Sequence, residues 1–441
     1  METVLKTVKR YPEYLDSGVE WMGQIPNYWD LIKLKHLFKE KSIIHDINLP
    51  AGSISFGEIV TKDDRKIPKS TKESYQVLSK GEFLVNPLNL NYDLKSLRIG
   101  LSEIDVVVSS GYIVLQNHKE INKRYYKYFL HRYDVSFMKL LGSGVRQTIN
   151  FNNISNSLLA NPPLPEQTAI ANFLDDKTEK IDRAVSIKEK QIALLKERRQ
   201  IIIQELVTGK KVWNEEKQAW EKPEKTIDSG VEWIGEIPEE WEVVPIRRLV
   251  DVRDGTHDTP TYIDENENSH FLVTSKDFKG NDIDFSNAKS ISKKDYIEIA
   301  KRSGVDNGDV IMSMIGGNIG KSVIANYKTD YAIKNVGLFK TYGDLILSKY
   351  IRFYLQSGLL DIQIELNSRG GAQGFLSLGD LRNLKFLKVP SEMLSNAVFH
   401  IEESSEKIDQ AISIKEREIE KLKEYKASLV NDVVLGRVKV S

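Results

Sequence analysis

The 441-residue chain contains no cysteine. That excludes disulfides, thiolate metal sites and cysteine nucleophiles, and it fits a reducing compartment. The chain lacks an apolar run of membrane-spanning length, and its first residues lack the apolar stretch of a secretory signal. A cytoplasmic location away from membranes is therefore the expectation. It also lacks a charge excess, with 63 basic side chains against 63 acidic ones, so net charge points to no class of partner. No Ser/His/Asp set, paired carboxylate site or nuclease-like acidic cluster stands out. What is plentiful is charge, 29% of residues beside 40% hydrophobic ones, as in a globular protein with room for two or three cores.

The dominant pattern is a long heptad helix that occurs twice. Steps of four and three run through Leu174, Thr178, Ile181, Val185, Lys188, Ile192, Leu195, Arg199, Ile202 and Leu206. This is the seam of a coiled coil. At an offset of 227 the same phase returns as Ile401, Ser405, Ile408, Ile412, Lys415, Ile419, Leu422, Lys426, Leu429 and Val433. The interruptions match too, a hydroxyl at one place and a cation at two. An antiparallel pair in which facing numbers sum to 614 would set Val185 against Leu429, Ile192 against Leu422 and Ile202 against Ile412. It would also oppose Lys188 to Lys426 and Arg199 to Lys415, whose heads would have to reach water or acids.

A second repeated block precedes each helix at some distance. "DSGVEWMGQIPNYW" from Asp16 returns as "DSGVEWIGEIPEEW" from Asp228, at an offset of 212. Its Gly and Pro punctuate a turn, and Trp21, Trp29, Trp233 and Trp241 read as anchors at a domain edge. The two offsets differ by 15, so the second unit carries that many extra residues between blocks. The inserts share little text and form a variable part on a shared frame. "EFLVNP", "DVVVSSGYIVL", "HFLVTS", "DVIMSMI" and "SVIANY" read as strands, and "RYYKYFLHRYDVSFMKLL" and "SKYIRFYLQSGLLDIQI" as amphipathic helices. Each insert closes with a Gly-bearing loop, then a proline-marked strand leading into the heptad helix. Pro165, Glu166 and Gln167 make a first helical turn. The residues through Tyr14 read as a mobile lead-in, and the stretch after the Gly209 cap as a charged linker.

These boundaries give residues 1–165 as a first mixed α/β domain with its frame segment, 166–210 as the first helix and 211–227 as linker. A second α/β domain follows over 228–390, then the second helix over 391–441. The fold class is α/β, two such domains separated by two long helices in an antiparallel coiled coil with a pseudo-two-fold internal repeat.

Three motifs invite chemistry and do not support it. "IGGNIGKS" has Ile315 where a phosphate loop needs Gly, and strand follows its lysine where a helix should. "NPPL" has Leu164 where the methyltransferase motif places a stacking aromatic, and reads as a strand leading to a helix. "DGTHDTP" sets His257 between acids without metal-ligand spacing. What remains is a set of polar loop residues of the kinds that read base edges and hold phosphates. Insert one carries Arg65, Lys66, Asn89, Arg98, Arg146 and Gln147. Insert two carries Arg253, Thr256, His257, Lys276, Asn318, Lys321, Arg369 and Gln373.

With the frame "DSGVEW.G.IP..W", the helix start "PPLPEQTAIANFLDDKTEKID", "DGTHDTP" and "GDVIMSMIGGNIGK" in view, nearly the whole chain resembles the specificity (S) subunits of type I restriction–modification enzymes. The second helix start, "VPSEMLSNAVFHIEESSEKID", departs from that pattern by lacking Pro-Glu-Gln. The resemblance implies that each insert is a target recognition domain for one half of a split double-stranded DNA site. It implies a helix pair as spacer, two methyltransferase (M) subunits and, in the full complex, restriction (R) subunits. S-adenosylmethionine, ATP and Mg would then belong to those partners, and this chain would hold no cofactor, no metal and no catalytic residue. As a ruler, a helix of about 33 residues spans roughly 50 Å, on the order of a dozen base pairs. The alternatives are a self-sufficient methyltransferase or nuclease with fused recognition domains, for which no site is visible, and a coiled-coil scaffold for proteins alone.

Overall fold

The computed structural model describes residues 9–88, 97–138, 148–326, 330–367 and 374–440. The chain packs as two compact units, the first built from both ends of the sequence, Met1–Lys188 with Arg417–Ser441, and the second from the stretch between them, Glu189–Glu416.

In the first unit, strands β1 (Phe38–Glu40), β2 (Phe83–Val85), β3 (Ile99–Leu101) and β4 (Ile113–Asn117) form an antiparallel sheet in the order β1-β4-β2-β3. Phe83 and Val85 face the main core while Leu84 faces a second cluster with Leu78, Val106 and Val108. Burial on both faces is why β2 reads as an unbroken apolar run. Helix α1 (Lys123–Ser136) is capped by Asn122, whose side chain accepts from the Arg124 and Tyr125 N–H groups. It buries Tyr125, Tyr126, Phe129, Leu130 and Tyr133, and Trp21 of the frame packs edge-on against Phe129 and Tyr133 at 5.7 and 6.0 Å. Strand Leu158–Asn161 pairs with Asp30–Lys33 and delivers the chain into the long helix α2 (Leu164–Val207).

The second unit repeats this plan. Strands β5 (Asp251–Asp254), β6 (Val310–Ser313), β7 (Ser322–Ile324) and β8 (Val336–Lys340) run in the order β5-β8-β6-β7. Helix α3 (Leu345–Gln356) follows, with a break at Gly358 (φ +83°) before Leu359–Asn367. Strand Lys385–Lys388 pairs with Glu242–Pro245 and leads into α4 (Ser391–Val434). The missing Pro-Glu-Gln therefore leaves the second helix start in place. In the first unit the Glu166 carboxylate accepts from Tyr11 (2.5 Å), Tyr28 (3.0 Å) and Trp29 Nε1 (3.1 Å). In the second, Met393 receives Trp241 Nε1 at 3.4 Å.

Glu40 lies beside Leu115 as Val252 lies beside Phe339, and Phe83 lies beside Leu115 as Val310 lies beside Phe339. The first strands are thus offset by 212 and the second strands by 227. All 15 extra residues fall between β5 and β6, where elements spanning Tyr262 to Ser303 stand in place of those from Gly52 to Leu78.

Each frame sits on the end of the other repeat's helix. Gly209 and Gly436 both adopt φ +70° as helix caps. A Cβ on Gly436 would lie within 3 Å of Pro26 and Trp29, and one on Gly209 within 3 Å of Pro238 and Trp241. Beyond the caps, Val212 pairs with Glu221 inside a hairpin, and Lys439 pairs with Lys9 in the same relative place. The linker is therefore a folded hairpin, its Trp213 and Trp220 rings 5.6 Å apart. The expectation of a mobile lead-in through Tyr14 is also corrected for residues 9–14, because Tyr11 is buried against Trp29 and hydrogen-bonded to Glu166.

Along α2 the less exposed positions include Leu174, Thr178, Ile181, Val185, Lys188, Ile192, Leu195, Arg199, Ile202 and Leu206. Along α4 they include Ile408, Ile412, Lys415, Ile419, Leu422, Lys426, Leu429 and Val433. The helices run antiparallel within the first unit, where Lys188 pairs with Glu418 and Lys426 with Asp182, each at 2.7 Å. In the second unit Arg199 pairs with Asp409. The expected facing of Lys188 with Lys426 and of Arg199 with Lys415 is overturned. Glu418 lies eight residues, about 12 Å of helix, from Lys426. The shifted register gives these three cations acidic partners, where the expected one would have set like charges together.

Candidate nucleic-acid interface

Antiparallel pairing brings the end of β5, the start of β8, the end of β6 and the start of β7 to one end of the second sheet. Several polar residues singled out in insert two collect there. Thr256 and His257 follow β5, and the Thr256 backbone bridges to the Ile333–Asn335 stretch that opens β8. The exposed His257 ring lies between Asp254 Oδ2 and Asn335 Oδ1, each at 3.0 Å. Asp254 is buried and also holds Arg302, so the imidazole is presented on a fixed mount. Arg253 is bound to Asp251 at 2.7 Å, and that bond raises its guanidinium pKa.

Asn318 and Lys321 lie in the turn between β6 and β7. Gly316–Asn318 is a single 3₁₀ turn followed by strand, so no helix N-terminus is formed for a phosphate. Lys321 Nζ donates to the Phe278 carbonyl at 2.5 Å, tying this turn to the segment that carries the exposed Lys276.

The first sheet has the same construction. Arg98 stands immediately before β3, yet it is buried, 5% exposed, and does not project like a loop cation. Its Nε donates to Asp134 Oδ1 at 3.0 Å and its backbone N–H to Oδ2 at 2.5 Å. Asp134 lies on α1, so the pair ties that helix to β3. Arg65 and Lys66 are exposed on a 3₁₀ turn after strand Glu58–Thr61, with Arg65 held by Asp63 at 2.9 Å.

Asn89, Arg146, Gln147, Arg369 and Gln373 lie outside the described residues. Their described neighbours do meet. Leu88 bridges to Thr148, and Ile315 bridges to Phe375 at the same offset of 227. In both units the turn after the second strand therefore touches the residue following the Gly-bearing loop. Sequence reading missed Asp134 and Asn335. They bond side chains distant along the chain, and only Asn335, at φ +56°, carries a local mark. Among the described residues no group of three or more His, Asp or Glu could hold a metal ion, and no helix is long and apolar enough to cross a membrane.

Comparison with known proteins follows the same lines. Residues 29–197 match the family of type I restriction modification DNA specificity domains. The chain is 25% identical over 349 residues to the type I restriction enzyme MjaVIII specificity subunit of Methanocaldococcus jannaschii, covering 76% of this chain and 75% of that one. It is 24% identical over 440 residues to the putative MjaX specificity subunit of the same organism, covering 95% and 96%. Among solved structures, a chain from a type I R-M system superposes with a TM-score of 0.66 at 16% identity, covering 93% and 98%. The HsdS subunit from Thermoanaerobacter tengcongensis gives 0.52 at 13% identity, covering 96% and 100%. Two sheets of matching order stand on one repeated frame, with polar turns at corresponding ends, so the chain is an internally duplicated α/β protein. The chain is thus similar along most of its length to specificity subunits of type I restriction enzymes, and its fold is that of the HsdS subunits.

Proposed function

We propose that each unit reads one half of a bipartite double-stranded DNA site and that the paired helices set the spacing between the halves. The observation that carries this reading is the divergence of side chains at equivalent places. The sheets share order, pairing and a matching bridge, while the residue before the third strand is Arg98 in one and Lys321 in the other, and the bridged residues are Leu88 and Thr148 in one and Ile315 and Phe375 in the other. Two different half-sites call for such a pair. Two copies of a methyltransferase subunit would dock on the two repeated frames, as a pseudo-two-fold surface invites. Restriction subunits would complete the assembly. S-adenosylmethionine, ATP and Mg would be bound by those partners, and this chain would supply specificity without chemistry of its own. Arg65, Lys66, Thr256, His257, Lys276, Asn318 and Lys321 are the described candidates for DNA contacts. Asn89, Arg146, Gln147, Arg369 and Gln373 remain candidates from sequence.

The test is methyl transfer. The full chain purified with its methyltransferase partner should methylate a split motif in mapped genomic DNA, and the chain alone should transfer nothing. S-adenosylmethionine-dependent methylation by the lone chain, free of partner, would sink this reading.

A further inference from the structure

Among the described residues of the first unit, Phe56 is an aromatic side chain that the fold leaves largely exposed. Strands Gly52–Ser55 and Glu58–Thr61 form a hairpin whose two-residue turn is Phe56–Gly57. Both residues are left-handed, at φ +48° and +82°. Such a turn suits Asn-Gly, and a bulky side chain at its first position is strained. Phe56 is nevertheless 73% exposed, so burial does not offset that strain.

Its position is fixed. A Cβ on Gly100 of β3 would lie 2.6 Å from the Gly57 carbonyl, and one on Gly57 would lie 2.9 Å from Leu97 and 3.1 Å from His131. The hairpin thus lies across β3 with its tip at the start of that strand, beside Leu97 and Arg98. That is the end of the sheet where β2 closes and Leu88 bridges to Thr148. Lys62, Arg65, Lys66 and Lys69 lie close in sequence to the hairpin and are exposed, the charge that phosphates call for. Glu58, the acid next to the tip, is paired with Lys127 at 2.9 Å.

We infer that Phe56 is a base-contacting wedge of the first recognition unit, inserting its ring at a base step of the first half-site. Apolar side chains at rigid tips unstack such steps, and the contact reads deformability as well as sequence. The inference rests on the DNA-reading function proposed above.

The test uses the full chain in complex with its methyltransferase partner, on the split motif that the wild-type complex methylates. Phe56→Asn fits the turn and should leave thermal unfolding unchanged or raise it. It should weaken binding to the cognate duplex by about tenfold or more, while Phe56→Trp retains binding. A 2-aminopurine probe placed stepwise through the first half-site should brighten at one step with wild type and stay dark with Phe56→Asn. Equal binding and equal fluorescence for wild type and Phe56→Asn would overturn the inference alone. Loss of the methyltransferase partner from the Phe56→Asn complex would overturn it too, by assigning the ring to a protein contact. A wild-type complex that selects no split site would overturn the underlying function, and the wedge with it.

Discussion

His131 shows how one buried side chain sets a response of the first unit. Burial, with Lys127 close by, holds its imidazole down at about 4, against an ordinary value near 6.5. The neutral ring donates no charge to a site that could not solvate it, and its Nε2 has no hydrogen-bond partner. Because the folded-state value is depressed, the unfolded chain binds the proton first. Stability is complete above about pH 6.5 and declines as pH falls toward 4. Between pH 6.5 and 5 the loss from this group should be about 2 kcal/mol. Urea unfolding of wild type and His131→Leu at about pH 7 and about pH 5 checks this. The variant should show a shallower acid loss, and an unchanged slope would assign the acid sensitivity to other groups.

At the scale of elements, the two helix caps carry the joint between frame and helix. Gly209 and Gly436 combine a left-handed backbone with a Pro-Trp pair where a side chain would stand. Replacing Gly436 by Ala adds backbone strain of about 1 kcal/mol to a clash with Pro26 and Trp29. A total loss of roughly 2 kcal/mol or more follows. Gly209→Ala should behave alike against Pro238 and Trp241. Gly230→Ala is the control, since its φ is also +70° but open space surrounds the added methyl. Thermal unfolding should rank it well above the other two, and equal losses for all three would show that backbone strain alone is at work.

At the scale of the molecule, each frame needs a helix end from the other repeat. Leu429, Val433, Val434 and Leu435 pack in the first unit's core, and Ile202, Ile203, Leu206 and Val207 in the second's. A chain cut near Lys217, in the turn of the Val212–Glu221 hairpin, keeps one frame and one helix but loses the partner helix end. A second copy of the N-terminal half can supply it, because Ile202, Leu206, Val207 and Gly209 stand at the places of Leu429, Val433, Val434 and Gly436. The cross-helix pair is available as well, since Arg199 and Asp182 correspond to Lys426 and Asp409. The half should therefore form a two-fold dimer, read an inverted repeat of the first half-site and still recruit methyltransferase. Sedimentation and methylation mapping check this. A soluble monomer, or a dimer that keeps the original asymmetric motif, would refute it.

The sequence by itself determined the duplication, the heptad phase, the turn blocks and the sequence separation of frame and helix. All of these are written as spacing along one chain: a period of seven, a repeated Trp-Gly-Pro turn, two offsets differing by 15. Only the tertiary structure decided the rest. The shift that pairs Lys188 with Glu418 depends on side chains of two helices at once, and heptads allow several registers. The burial of Arg98 depends on Asp134, 36 residues away, and no local pattern announces an ion pair between a strand and a helix. The exchange of helix ends between frames, and the meeting of Lys9 with Lys439, arise because an exposed apolar seam must be covered by whatever chain segment shares its phase. In one polypeptide with two like halves, that segment lies in the other half.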